Sequence, residues 1–321
     1  MSGRGLLGYV LRRLVAFGVL LLLLSFAVFA LLYLSPGSVV DVLLGQSPRT
    51  PETVRQLRQE HHLDESFLAQ YWIWISDAVQ LKFGRSIQTS LPVIDEIKAR
   101  LPVSLFLGVY AYLLTMVAGV GLGIWAALRA RTHTDRAVVA ATLIGLSTPV
   151  FVAGIVLIYL FAVVLPWFPA SGRGDGFWDG VRHFTLPAVS LALVSAAYVA
   201  KHTRAAMIGV LDQDYVMFAR ARGLSATRTL FVYALRNALI PVVTISALVL
   251  TFVITGAVLV EVTFSLQGIG SLLVQSAEAK DLPMVQGVAI TIAVVIMVGS
   301  LLADLAYAAL DPRIRLGGRM A

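Results

Sequence analysis

A chain of 321 residues that is 58% hydrophobic and only 13% charged, with a mean hydropathy of +0.85, has about half the charge of an ordinary globular protein, which excludes a soluble domain. Its net charge of +7 and pI near 9.9 read as membrane topology and attraction to lipid headgroups, not as nucleic-acid binding. Cysteine is absent, so disulfides and thiolate–metal sites are excluded too.

Six uncharged runs follow one another: Leu14–Leu34, Leu101–Leu128, Ala137–Leu165, Phe184–Ala200, Asn237–Val260 and Leu282–Ala303. A bilayer-spanning helix needs roughly 20 apolar residues. Five runs meet that length; the fourth, of 17 residues, reaches it if Lys201 and Arg204 snorkel to the interface. The first run also carries the marks of a signal peptide, Arg12, Arg13 and a Val28-x-Ala30 cleavage pattern, but its 21 residues and the five runs behind it favour a retained span. With the N-terminus inside, 15 of the 25 basic residues fall on cytoplasmic segments and 10 outside, seven of those in the 66-residue segment Ser35–Arg100, where the positive-inside rule loses force. Six spans with both termini inside are self-consistent.

Between the first two spans, Pro36-Gly37 ends the first helix, and Thr50-Pro51 reads as an N-cap with proline at the first helical position. Val54, Leu57 and His61 continue that short helix. Phe67, Leu68, Tyr71, Trp72 and Ile75 then form a stripe at helical spacing, with Trp74 beside it. Two readings stand for this stripe: an interfacial helix packed on the bilayer, or a platform for an external partner. Two further external loops, Leu165–His183 and Phe264–Pro283, are broken by Gly and Pro, among them Gly268 and Gly270. There is no internal repeat, and the halves do not look like an inverted duplication, which argues against many secondary-transporter folds.

Catalytic signatures are missing. None of Lys82, Lys98, Lys201 and Lys280 follows a glycine, so no phosphate-binding loop is encoded, and neither H-E-x-x-H nor G-x-S-x-G occurs. His61-His62 reads as part of a surface helix in preference to a metal site. Glu261, at the outer end of the fifth span, is placed at headgroup depth, where a carboxylate is cheap. Asp304 lies near the inner end of the sixth, two turns from Arg313, and a structural pairing is favoured over ion coupling.

The segment Asp214–Thr244 stands apart. Arg220, Arg222, Arg228 and Arg236 crowd a loop between two oily spans. A helix can run through Asp214–Arg222, Gly223 permits a reversal, and Ser225 can cap a second helix through Phe231. Leu230, Phe231, Ala234 and Leu235 are apolar on a stretch expected in the cytosol. Apolar side chains rimmed by arginine mark a partner surface; the alternative is an amphipathic helix floating on anionic lipid.

These residues carry a family resemblance. The segment resembles the coupling-helix motif of ABC importer permeases, E-A-A followed by G, with Met217, Phe218 and Ala219 at the E-A-A positions and Gly223 at the glycine. The missing Glu and first Ala are shared with the peptide-permease branch, whose pattern resembles Asp214-Tyr215-Val216, Ala219-Arg220-Ala221-Arg222-Gly223-Leu224 and then Arg236 to Thr244. Similar elements run along nearly the whole chain: Pro36-Gly37, Phe83-Gly84-Arg85-Ser86, Ser147-x-Pro149-x-Phe151, Phe168-Pro169-x-Ser171-Gly172, Leu186-Pro187-Ala188, Gly268-Ile269-Gly270, Asp281-x-Pro283 and Asp311-Pro312-Arg313-Ile314-Arg315. The chain is similar to the B-type permease subunit of dipeptide/oligopeptide importers.

The resemblance implies an all-α membrane protein with six transmembrane helices in the type I ABC importer permease fold, N-in and C-in, in the bacterial cytoplasmic (inner) membrane. Its divisions are 1–34, the N-terminus and first span; 35–100, an external helical insertion; 101–308, the permease core; and 309–321, a cytoplasmic tail. It implies a non-enzymatic subunit with no cofactor of its own, ATP and Mg sitting on partner ATPase subunits. The implied partners are a second related permease subunit, two cytoplasmic ATPase domains, an external peptide-binding protein and membrane lipids. A coupling helix at about Val216–Phe231 would move as a lever, with Ala219, Arg220, Arg222, Gly223, Leu224, Arg228 and Arg236 at the joint. Ser147, Thr148 and Pro149 are candidates to line the translocation path, since proline and hydroxyls within a span often face a cavity, though helix packing explains them equally. Nickel or glutathione as cargo, or an ion-coupled carrier working alone, stay open as alternatives.

Overall fold

The computed structural model describes residues 4–34, 39–44, 49–60 and 62–310; Pro36-Gly37, His61 and the segment 311–315 lie outside them. The described residues are helical throughout, save for loops and one isolated antiparallel bridge between Arg85 and Pro92. The helices in order are α1 (Arg4–Leu34), α2 (Val39–Leu44), α3 (Pro51–Glu60), α4 (Phe67–Val79), α5 (Val93–Leu128), α6 (His133–Ser147), α7 (Val150–Ile158), α8 (Phe177–Leu211), α9 (Asp214–Ala221), α10 (Ala226–Arg228), α11 (Arg236–Thr263), α12 (Ile269–Glu278) and α13 (Leu282–Leu310). Two π-helical stretches continue α7 over Tyr159–Val164 and join α10 to α11 over Thr229–Leu235.

Among the described residues, five helices are long and apolar enough to cross a membrane, and α6 with the α7 rod form a sixth candidate bent by 105°. The third apolar run is therefore a corner. It falls at Thr148-Pro149 because proline cannot donate to the preceding turn and drives the residue before it out of the α region; Thr148 sits at ψ 122°.

The chain divides into two compact units. The first comprises residues 1–104 and 267–297. Its core gathers Ala78, Phe83, Val93, Ile97, Ile269, Leu272, Met284 and Val288. Asp281 organises the loop after α4. Its buried carboxylate accepts from Ser86 Oγ at 2.5 Å, from the backbone N–H of Ile87 at 3.2 Å and of Gln88 at 3.3 Å, and from Met284 N–H in the first turn of α13 at 3.3 Å. A carboxylate so supplied with donors is compensated for its removal from water.

The second unit comprises residues 105–266 and 298–321. α8 is its axis and packs against α6, α7 and α11. α5 reaches α8 through Gly119 and Gly123, whose missing side chains allow the close approach typical of G-x-x-x-G helix pairs. A Cβ on Gly123 would lie 2.5 Å from Thr203 Cβ and 2.7 Å from the Ala200 carbonyl oxygen. Gly123→Ala is therefore expected to lower stability by about 1–3 kcal/mol. Gly121→Ala, with open space at its Cβ, is expected to be neutral or slightly stabilising. Denaturant titrations of the two variants in detergent check the contrast.

Two expectations are corrected here. Arg204 does not reach for headgroups; it turns back to Asp135 in the first turn of α6, Nε to Oδ1 at 2.6 Å and Nη2 to Oδ2 at 2.7 Å. Glu261 stands two residues from the end of α11, but it is 1% exposed, on the inward face with Ala257 and Val260, so its carboxylate is not the cheaply solvated headgroup-level group expected.

Candidate functional site

α9 turns one face inward. Val216 and Ala219, one helical turn apart, are buried, while Tyr215, Met217 and Phe218 are exposed. The helix stops by a defined mechanism. Arg222 is its C-cap, Gly223 follows at φ +76°, and two crossed bonds close the end: Gly223 N–H to the Arg220 carbonyl at 2.9 Å and Leu224 N–H to the Ala219 carbonyl at 3.3 Å. That pair is the Schellman arrangement, and it needs a left-handed residue at the glycine position. Half-buried Leu224 supplies the apolar residue that accompanies such a cap.

The chain restarts at Ser225, whose Oγ accepts from Arg228 N–H at 3.4 Å. The second helix does not end at Phe231, as the sequence suggests. α10, the π stretch and α11 form one rod, Ala226–Thr263, so the segment feeds straight into the fifth span. Nor are all four of its apolar residues displayed. Ala234 is buried with Met207, Ala127 and Ala238, and Leu230 and Leu235 pack against that cluster; Phe231 alone of the four is exposed. Asn237 ties the two helical pieces together, its Nδ2 donating to Tyr215 Oη at 3.1 Å and to the Tyr233 carbonyl at 2.9 Å.

What remains outside is a small apolar surface: Met217 (61% exposed), Phe218 (68%), Phe231 (60%) and Val232 (56%). Arg220, Arg222, Arg228 and Arg236 are all exposed, and among the described residues none of them forms an ion pair. Exposed aromatic and thioether side chains edged by uncompensated arginines match the composition of protein interfaces. Arg220, Arg222, Gly223 and Arg228 are each exposed along the turn that joins α9 to α10, whereas Ala219 is buried on the inner face of α9. Among the described residues, no group of three His, Asp or Glu could hold a metal ion.

Ser147, Thr148 and Pro149 occupy the corner between α6 and α7. Ser147 and Pro149 are exposed, Thr148 is half-buried, and Thr148 Oγ1 donates to the Ile144 carbonyl at 2.8 Å. Two pairings escaped the sequence reading. Asp135 with Arg204 could have been suspected from Thr132, whose Oγ1 accepts from Asp135 N–H at 3.4 Å and marks a helix start with a carboxylate in its first turn. Ser86 with Asp281 joins two of the ordered motifs, Phe83-Gly84-Arg85-Ser86 and Asp281-x-Pro283, which lie 195 residues apart.

The chain matches the family model of the binding-protein-dependent transport system inner membrane component over residues 119–316, and the N-terminal model of the same systems over residues 6–108. It is 37% identical over 310 residues to a probable peptide ABC transporter permease protein, y4tP, of Sinorhizobium fredii (strain NBRC 101917 / NGR234), covering 96% of this chain and 99% of the relative. It is 35% identical over 310 residues to the glutathione transport system permease protein GsiC of Escherichia coli (strain K12), covering 97% and 99%. Among solved structures, the inward-facing MetNI methionine ABC transporter shares the fold at a TM-score of 0.54 and 14% identity, covering 67% of this chain and 96% of that one. With family models over both parts of the chain and relatives aligned almost end to end, the chain belongs to the binding-protein-dependent transport system inner membrane components, the multi-pass permease subunits of ABC importers.

Proposed function

We propose that this chain is the membrane subunit that passes di- or oligopeptides inward through an ABC importer, and that α9 with the following turn is the joint at which a partner ATPase drives it. The near full-length kinship with a probable peptide permease supports the cargo. The observation that carries the joint is the exposure of Met217, Phe218, Phe231 and Val232 on the two sides of the Gly223 cap, beside four exposed arginines that form no ion pair among the described residues. Chemistry at the ATP γ-phosphate, with its Mg, belongs to the partner subunits; this chain transmits motion. A second related permease subunit would complete the pore, and an external binding protein would deliver the peptide. Ser147, Thr148 and Pro149 are candidates for the path because the corner leaves Ser147 and Pro149 exposed and Thr148 half-buried between them. A second cargo reading, glutathione, rests on the 35% identity to GsiC.

Phe218→Asp tests the joint. Removing an exposed aromatic anchor and inserting a charge is expected to weaken association with the ATPase by about 2 kcal/mol, roughly 25-fold in Kd. Co-purification from native membranes and uptake of a labelled dipeptide by right-side-out vesicles loaded with ATP and supplied with the binding protein outside read it out. Undiminished recovery of the ATPase would overturn the assignment. Competition by unlabelled dipeptide against glutathione decides the cargo.

A further inference from the structure

The helix α4, read from sequence as part of an external insertion, is held against the flank of α1. Phe29 of α1 is 3% exposed and has Phe67, Tyr71 and Trp74 around it at ring-centre distances of 5.4, 5.7 and 5.5 Å. Tyr71 Oη meets Ser25 Oγ at 2.8 Å and the Leu22 carbonyl at 3.3 Å. The spanning part of α1 runs from Val10 to Tyr33. At 1.5 Å per residue, Phe29 lies about 6 Å and Leu22 about 16 Å below its outer end. With Tyr33 taken as the outer edge of the hydrocarbon, the α4 rings that meet Phe29 lie below that edge, and Tyr71, which reaches the Leu22 carbonyl, extends furthest toward the bilayer centre.

The polar groups of α4 suit such a place. Gln70 Nε2 donates to the Glu65 carbonyl at 2.8 Å, and its Oε1 accepts from Tyr33 Oη. Ser76 Oγ turns back to the Trp72 carbonyl at 2.7 Å. The face away from α1 is Leu68, Trp72, Ser76 and Val79, spaced by helical turns, with Leu68 and Trp72 each 61% exposed and Val79 79% exposed. The helix's one charged side chain, Asp77, falls on the opposite side by the 3.6-residue period. α1 likewise exposes apolar side chains, Leu22, Leu23 and Phe26, along the stretch that α4 packs on.

We infer that α4 is a membrane-embedded helix of the outer leaflet, its Leu68–Trp72–Val79 face in contact with lipid acyl chains. The choice of leaflet rests on the N-in orientation; the depth rests on the contacts with α1. A helix lying in the bilayer plane buries its apolar face about 5–10 Å below the headgroups, which agrees with the position of Phe29. A docking platform for a water-soluble protein would be edged by free polar groups, and here the one hydroxyl on the face is bonded to its own backbone.

The absence of native cysteine makes the test direct. Leu68→Cys, Trp72→Cys, Val79→Cys and, as an aqueous reference on α3, Gln59→Cys are spin-labelled in the importer complex reconstituted into liposomes. Power-saturation measurements then compare collisions with oxygen, which concentrates in lipid, and with a neutral nickel chelate, which stays in water. The three α4 positions are expected to favour oxygen and position 59 the chelate, a reversal of several-fold in the accessibility ratio. Chelate access at positions 68 and 79 equal to that at 59 would show an aqueous face and overturn the inference. Low access to both probes would show a protein-covered face and overturn it in favour of a partner platform. Leu68→Cys and Val79→Cys keep the result decisive should Trp72→Cys disturb the aromatic cluster.

Discussion

ATP-driven uptake is expected to fall to background in Gly223→Pro, with the chain still inserted in the membrane. Gly223 holds φ +76°, a value proline cannot adopt, and its N–H makes one of the two bonds that close α9. Without that cap the helix end loses its direction. The Val216–Ala219 face then loses its register, and Met217 and Phe218 are no longer held outward by it. Gly223→Ala separates conformation from crowding. A Cβ there meets nothing within 4 Å, so the only penalty is the left-handed backbone, about 1–2 kcal/mol. Its uptake should be reduced, not abolished. Vesicle uptake measured beside ATP hydrolysis checks both variants: hydrolysis without transport would identify uncoupling, and full transport by Gly223→Pro would sink the lever.

The second large effect is expected at the Asp135–Arg204 pair. The Asp135 side chain is 5% exposed and that of Arg204 29% exposed, and two parallel bonds join them between the start of α6 and α8. Arg204→Met leaves the carboxylate with the Arg131 N–H at 2.8 Å but without its counter-charge. Breaking one side of such a pair costs about 3 kcal/mol or more, because an uncompensated buried charge is left behind. Asp135→Asn together with Arg204→Met removes both charges and is expected to be milder than the sum of those two single changes. A double-mutant cycle on detergent-solubilised protein measures the difference; strict additivity would mean that the two side chains do not act as a pair.

The spans were legible in the sequence because lipid imposes a length and an apolar composition that few other constraints mimic. The helix end and restart within Asp214–Leu235 were legible too, since Gly223 and Ser225 are punctuation with a local cause. What the sequence concealed was long-range. Arg204 sits beside an apolar run, where snorkelling is the default expectation; its partner Asp135 is 69 residues away and gives no periodic signal. Leu230, Ala234 and Leu235 read as a displayed partner surface because the segment lies between spans on the cytoplasmic side, whereas Ala127 of α5 and Met207 of α8 arrive from distant parts of the chain to cover them. The third apolar run showed no charge to mark its corner, only Pro149, and proline is compatible with a mild kink as well as a 105° turn. The aromatic stripe of α4 announced a helix, but not that Phe67, Tyr71 and Trp74 would be spent on α1 while Leu68 and Trp72 faced outward.

The π-helical stretch Thr229–Leu235 sets an azimuth. A wide turn of this kind carries one residue more than the α-helix it interrupts. Each residue of an ordinary helix advances the side chains by about 100°. The direction in which Phe231 and Arg228 point, as seen from the fifth span, is therefore fixed by a single-residue surplus. Point changes on the outer face of this stretch alter chemistry at a constant bearing. Loss of one residue would restore the plain helix and swing the whole surface around the rod, so this short stretch is tolerant of composition and intolerant of length.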